Sequence, residues 1–268
     1  MTASLLRAAA LAADVGAAVA LRRFAAHELP QWLKDDGSRV TAADFAAEDA
    51  IRNRLAELTP GIPVFGEETG GDKAAVDRWI VDPIDGTENF SRGNPVWATL
   101  VAFESRGTIL ASAVSAPALQ GQWTAARGMG AFAGHQRLRV STRAARHDST
   151  FCYGGLHECP SPAAADRLVA VAASFRCAWG WGNFWGHVQV AQGSAEAALS
   201  YGVELWDLAA LSLLVDEAGG RSTDLAGRGY PQLGSLLTAN CQLHQDLLQD
   251  LAVSMDRRPS TRGEDHGG

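Results

Sequence analysis

Residues 79–90 read WIVDPIDGTENF: an apolar run, two carboxylates three positions apart, then a glycine and a hydroxyl. The run RWIV that ends at Val81 has the character of a buried strand. Pro83 stands between Asp82 and Asp85, and its fixed φ stiffens the bend, so both carboxylates can point at a shared pair of cations. Gly86 lets backbone approach a ligand closely, because a side chain there would obstruct it. A helix starting at Thr87 would turn its free N–H groups toward an anion such as a phosphate, and the Thr87 hydroxyl could orient a water. Metal ligands joined to a phosphate seat are what metal-assisted phosphoryl transfer requires.

Outward from this stretch, carboxylates stand beside strand ends or helix starts at three more places: Asp44, Glu67-Glu68 and Asp207. Each, taken alone, is most simply a solvated acid. Glu67 and Asp82, however, both follow strand-like runs, and strand ends commonly build ligand sites. Asp207 opens the apolar helix WDLAALSLLVDEAGG, where it could equally serve as an N-cap. If these acids converge they repel one another unless cations lie between them. Oxygen-only ligands select hard metals, so Mg²⁺ is expected first, with Mn²⁺ or Ca²⁺ as alternatives.

The 268 residues are 47% hydrophobic and 20% charged, with 28 glycines against 10 prolines, the profile of a globular protein with a sizeable core. A net charge of -7 and the lack of a Lys/Arg stripe argue against a nucleic-acid partner. Bound cations would still let such a chain handle an anionic substrate. Cys152, Cys159, Cys177 and Cys241 have no metal-ligand spacing and read as buried reduced thiols of a cytoplasmic enzyme. The N-terminal SLLRAAALAADVGAAVALRRFAA is too interrupted by charge for a signal peptide or a membrane span. It reads as an amphipathic helix with Leu5, Leu11, Val15, Ala18 and Leu21 facing the core.

LPQWLKDDGSRV predicts a strand and a turn at Asp36-Gly37. Thr41 with Asp44 predicts a capped helix that ends before Pro60. IPVFG is a short strand, and VWATLVAFES, TILASAVSAPAL and QWTAAR form an antiparallel meander. GMGAFAG reads as a turn and RLRVS as a strand. The polar stretch near 142–150 divides an N-terminal domain (1–145) from a C-terminal one (146–256), with a disordered tail at 257–268. The second part alternates strands with helices near 162–173, 184–192 and 206–218, the last with Leu208, Leu211 and Val215 on one face. A last strand, SLLTAN, precedes a C-terminal helix.

GEE at 66–68, DPIDGTENF at 82–90 and WDLAA at 206–210 together resemble the signatures of the inositol monophosphatase superfamily, in the same order and spacing. LKDDGSRVTAAD at 33–44 resembles that family's N-terminal active-site segment, and GMGAFAG its turn. The DxDxT motif of haloacid dehalogenase phosphatases does not fit. The resemblance implies an α+β fold layered α/β/α/β/α, as in the inositol monophosphatase and fructose-1,6-bisphosphatase type, in a homodimer. It implies a Mg²⁺-dependent phosphomonoesterase with two or three ions (Mn²⁺ as substitute), acting on a small-molecule phosphate ester and on no membrane. Glu67, Asp82 and the Ile84 carbonyl would bind one ion, and Asp82, Asp85 and Asp207 the second. Thr87 and Asp44 would activate the attacking water, the amides of Gly86 and Thr87 would seat the phosphate, and Lys34 matches a lysine of a mobile loop.

The stretches NPVWATLVAF, GNF at 182–184 and VELWDLAALSLLVDEAGG look most like the bacterial histidinol-phosphate phosphatase branch. That branch carries acids where this chain has Asn183 and Ser200, and a carboxylate is the natural partner of the ammonium on histidinol phosphate. Neutral Asn183 and Ser200 suit hydroxyl recognition, which keeps a cyclitol or sugar phosphate, including one of aminocyclitol metabolism, as the alternative. Glu88 or Glu204 could restore the lost charge. Trp179, Trp181, Phe184 and Trp185 could shape the pocket but fit core or interface better, and among the histidines only His187 merits attention. A non-catalytic binding protein is disfavoured because every implied metal ligand is present.

Overall fold

The computed structural model describes residues 2–26, 31–33 and 39–251. In chain order the elements are α1 (Thr2–Ala26), β1 (Gln31–Leu33), β2 (Arg39–Thr41), α2 (Ala42–Leu58), β3 (Val64–Gly66), β4 (Asp77–Asp85) and α3 (Thr87–Ser91). The meander follows as β5 (Ala98–Ser105), β6 (Thr108–Ala116), β7 (Gly121–Ala126), β8 (Gly130–Ala133) and β9 (Gln136–Arg137). The remainder is β10 (Thr150–Tyr153), α4 (Pro162–Ala173), β11 (Cys177–Trp179), α5 (Asn183–Ala191), β12 (Ala197–Tyr201), α6 (Leu205–Glu217), β13 (Arg221–Thr223), β14 (Ser235–Ala239) and α7 (His244–Leu251). Lys34, the Asp36-Gly37 turn and the tail lie outside the described residues.

Strand alternation sorts the core into layers. On β4, Trp79 and Val81 join Val101 and Phe103 of β5 against α1 and α2, while Ile80 joins Leu100 and Ala102 on the opposite face. That second face packs on Phe184 and Val188 of α5 and on Leu208, Leu211 and Val215 of α6. Beyond these helices stands a second sheet: Ala198 and Leu236 face inward, whereas Phe151, Leu199 and Leu237 face Leu168 of α4 and Leu247 of α7. The layers therefore run helix, sheet, helix, sheet, helix, the α+β sandwich that the resemblance implies. The first sheet has the order β3-β4-β5-β6-β7-β8-β9 and is antiparallel except for β3 beside β4. The second, β11-β10-β12-β14-β13, is mixed.

Several expectations need correction. The buried face of α1 is made of small residues, Ala8, Ala9, Ala12, Ala13, Gly16, Ala17 and Ala20, plus Leu5; Val15 is 37% exposed, Ala18 is exposed, and Leu11 and Leu21 are only half-buried. Close helix approach explains the choice: a Cβ on Gly16 would lie 2.5 Å from Ile51 of α2. With a mean hydropathy of 1.6, α1 is apolar and long enough in composition to cross a membrane, contrary to the sequence reading, yet its small-residue face is spent on this packing. Gly130–Ala133, read as a turn, is strand β8, and of RLRVS only Arg137 belongs to a strand. α6 is buried from Leu208 through Val215, not on one face, because sheets cover it on both sides. β13 went unread. Of the four free cysteines only Cys152 is fully buried, and Cys241 is exposed.

Candidate active site

The site begins with a break in β4. Asp82 pairs with Leu100 and Asp85 with Ala98, so three steps on β4 oppose two on β5, a one-residue bulge at Pro83-Ile84. In a regular strand, residues three apart point to opposite faces. The extra residue brings Asp82 and Asp85 to one side. Proline is tolerated there because a bulged position donates no ladder hydrogen bond. The Pro83 carbonyl accepts from Thr99 Oγ1 at 2.8 Å, and Asp82 Oδ1 accepts from the Ile84 amide at 3.0 Å.

Asp207 arrives from the far side, in the first turn of α6. Glu204 is the N-cap, and Asp207 Oδ2 accepts from the Glu204 amide at 2.6 Å. This resolves the two readings of Asp207: it is the third residue of the helix, anchored by one oxygen. Carboxylate oxygens of Asp82, Asp85 and Asp207 all lie within 4.8 Å of one another. Asp82 and Asp85 are buried and Asp207 is half-buried. Burial first, then the neighbouring acids, holds Asp82 and Asp207 well above the usual carboxylate range. Asp85 is pushed up to about 7 by burial, partly offset by the Phe184 amide, which donates to its Oδ2 at 2.5 Å. Three all-oxygen ligands that repel one another in a buried site fit a hard divalent cation.

Glu67, half-buried after β3, lines the same cavity but stands outside that trio. Its amide donates to Val81 O at 3.1 Å, which fixes the loop to β4. Asp44 is fully buried: its Oδ2 accepts from the Thr41 amide at 2.8 Å and Thr41 Oγ1 at 2.6 Å, the capping box read in the sequence. Its Oδ1 faces Thr87 Oγ1 at 3.2 Å, and Thr87 Oγ1 also lies 3.0 Å from Ile84 O. Burial raises Asp44 to about 6 against the lowering hydrogen bonds from Thr41. Gly86 has φ +90, and a Cβ there would meet Asn183 Nδ2 at 2.8 Å and Val96 O at 3.0 Å. α3 starts at Thr87 as expected.

Two chambers meet at this centre. The outer one, about 570 Å³, includes Glu67, Asp82, Ile84, Gly86, Thr87 and Glu88. The inner one, about 180 Å³, includes Glu158, His187 and Ser200, and Asp85, Asn183 and Asp207 line both. Asn183 and Ser200 are thus brought to the site. Glu204 lines neither chamber but a separate cleft with Lys73 and Arg78. None of the four aromatics lines either chamber; Trp179 and Trp181 are 52% and 46% exposed, Phe184 is core, and Trp185 packs on Trp123. His187 is buried between Ser200 Oγ at 3.0 Å and Thr238 Oγ1 at 2.8 Å. Burial lowers it to about 3, so it is neutral.

Glu48 and Glu158 carry parts of this geometry that went unread in the sequence. Glu48 is fully buried, accepts from the amides of Glu68 at 2.7 Å and Thr69 at 3.2 Å, and is braced by Arg52 Nε at 2.8 Å. Its signal was its place one helical turn after Asp44.

A layered α+β sandwich with an acidic centre between its sheets defines a class of metal-site phosphatases. The chain belongs to the inositol monophosphatase family, which it matches over residues 2–256, and it is a phosphoric monoester hydrolase. It is 42% identical over 235 residues to a histidinol-phosphatase of Mycobacterium tuberculosis, a match covering 85% of this chain and 90% of that protein. An inositol-1-monophosphatase of Rhizobium meliloti is 36% identical over 226 residues, covering 78% and 80%. Among solved structures, the extragenic suppressor protein suhB of Bartonella henselae is similar with a TM-score of 0.84 at 29% identity, covering 94% and 98%.

Proposed function

We propose that the protein is a Mg²⁺-dependent phosphomonoesterase of small molecules with histidinol phosphate as its substrate. The observation that carries the reaction is the convergence of Asp82, Asp85 and Asp207 within 4.8 Å, beside the Asp44–Thr87 pair. Glu67, Asp82 and the Ile84 carbonyl would hold one ion, and Asp82, Asp85 and Asp207 another. Bound there, Mg²⁺ supplies positive charge that makes a water acidic and offsets charge on the phosphoryl oxygens. Thr87, donating to Asp44, keeps a lone pair for the attacking water. Asp44, anchored through Oδ2, accepts from Thr87 at Oδ1, so that Thr87 can take the water's proton as it passes its own to Asp44. The amides of Gly86 and Thr87 seat the phosphate, and the alcohol leaves toward the inner chamber.

Support for histidinol phosphate comes from the relatives of that name, at 42% and 38% identity. The neutral Asn183 and Ser200 favour the second reading, a cyclitol or sugar monophosphate. Phosphate release with Mg²⁺ from histidinol phosphate, inositol phosphates and sugar phosphates separates the two. Asp85→Asn should lower release by about 10²–10³-fold with an unchanged circular-dichroism spectrum; undiminished turnover would sink the two-metal reading. A cytoplasmic homodimer rests on the resemblance, and sedimentation tests the dimer.

A further inference from the structure

Glu158 lines the inner chamber, where no Lys or Arg among the described residues stands beside it. It closes a single 3-10 turn, Leu156–Glu158, after β10. Its Oε2 accepts from the Gly155 amide at 3.0 Å, which folds the carboxylate back over Gly154 and Gly155. A Cβ on Gly154 would lie 2.5 Å from that oxygen, so only glycine leaves room for this placement. The side chain is 34% exposed, and its nearest basic group, His157 Nε2, is 4.0 Å away on a side chain 86% exposed. No Lys or Arg among the described residues lines either chamber. The chamber's own basic group, His187, is held neutral between Ser200 and Thr238.

The other carboxylates of the chamber, Asp85 and Asp207, belong to the acidic centre. Among the described residues, Glu158 is the carboxylate of the inner chamber that lies outside that centre. The rest of the lining includes hydrogen-bonding Asn183, Ser200 and Tyr201 and apolar Val203, Leu211 and Leu236. A partly desolvated carboxylate with one backbone donor keeps lone pairs for a charged donor, and a cation supplied by the ligand satisfies it best.

We propose that Glu158 is the specificity-determining counter-ion of the inner chamber, selecting phosphate esters whose alcohol carries an ammonium group. Asn183 and Ser200 then bind the uncharged polar atoms of the same alcohol. This rests on the phosphatase reading and assigns to Glu158 the charge that Asn183 and Ser200 do not provide.

The test pairs two esters that differ in one group: histidinol phosphate and its des-amino analogue, 3-(imidazol-4-yl)propyl phosphate, each with Mg²⁺. Wild type should prefer the amino ester. Glu158→Gln should lower kcat/KM for that ester by about 10- to 100-fold, mainly through KM, and leave the des-amino ester within about threefold. Glu158→Asp should recover part of the preference. Equal loss on both esters would mean that Glu158 only shapes the turn, and no loss on either would remove it from recognition. Both results overturn the proposal while leaving the phosphatase reading intact. No release by wild type from either ester, with release from inositol phosphate, would overturn the histidinol assignment and the counter-ion together.

Discussion

Gly86 carries two constraints at once, a left-handed backbone and a wall of neighbours. Alanine there meets φ +90 and the atoms Asn183 Nδ2 and Val96 O. Gly86→Ala should therefore lower stability by about 1–3 kcal/mol, read as a shift of the urea midpoint at constant slope. It should lower kcat further still, because the strained bond joins Asp85 to Thr87; a variant normal in both respects would show that the turn tolerates a side chain. Residues of this kind were legible because their partners lie close in sequence: Asp82, Asp85, Gly86 and Thr87 form one bend. Glu158 was not. Its meaning depends on Ser200 and His187 sharing its chamber, and a lone acid after Gly-Gly gives no sign of that.

At the scale of elements, α2 presents two acids one turn apart for two tasks. Asp44 reaches Thr87, and Glu48 holds the amides of Glu68 and Thr69 beside Glu67. Glu48→Gln keeps the shape but weakens those charge-assisted bonds. It should raise the half-saturating Mg²⁺ concentration and cut phosphate release by about 10- to 100-fold, measured as release against added Mg²⁺. An unchanged Mg²⁺ dependence would confine Glu48 to packing. The helix announced by a cap was read well, as with Thr41 at α2. The face of α1 was misread because large apolar residues were sought where the neighbour admits only small ones. The all-round burial of α6 was in fact available, since its apolar residues leave no polar stripe.

For the whole molecule, the acidic centre ties stability to cation and pH. Without a cation, Asp44 near 6 and Asp85 near 7 stand above their unfolded values, so the fold binds more protons than the unfolded chain. The stability they contribute is present at low pH and is lost as pH rises through those folded values. The chelated protein should thus melt lower at pH 8 than at pH 5, while saturating Mg²⁺ widens the gap between loaded and chelated forms as pH rises. Calorimetry at both pH values checks this, and a constant gap would mean that the acids are not what the cation relieves. That α5 and α6 lie between the sheets came from the resemblance, since no local pattern specifies which surfaces they join. The Asp85–Phe184 bond makes a further demand, because it links the end of β4 to the first turn of α5, 99 positions apart in the chain. Turnover therefore counts only molecules in which early and late segments have docked, and activity lost during gentle denaturation would report their separation before any strand or helix melts.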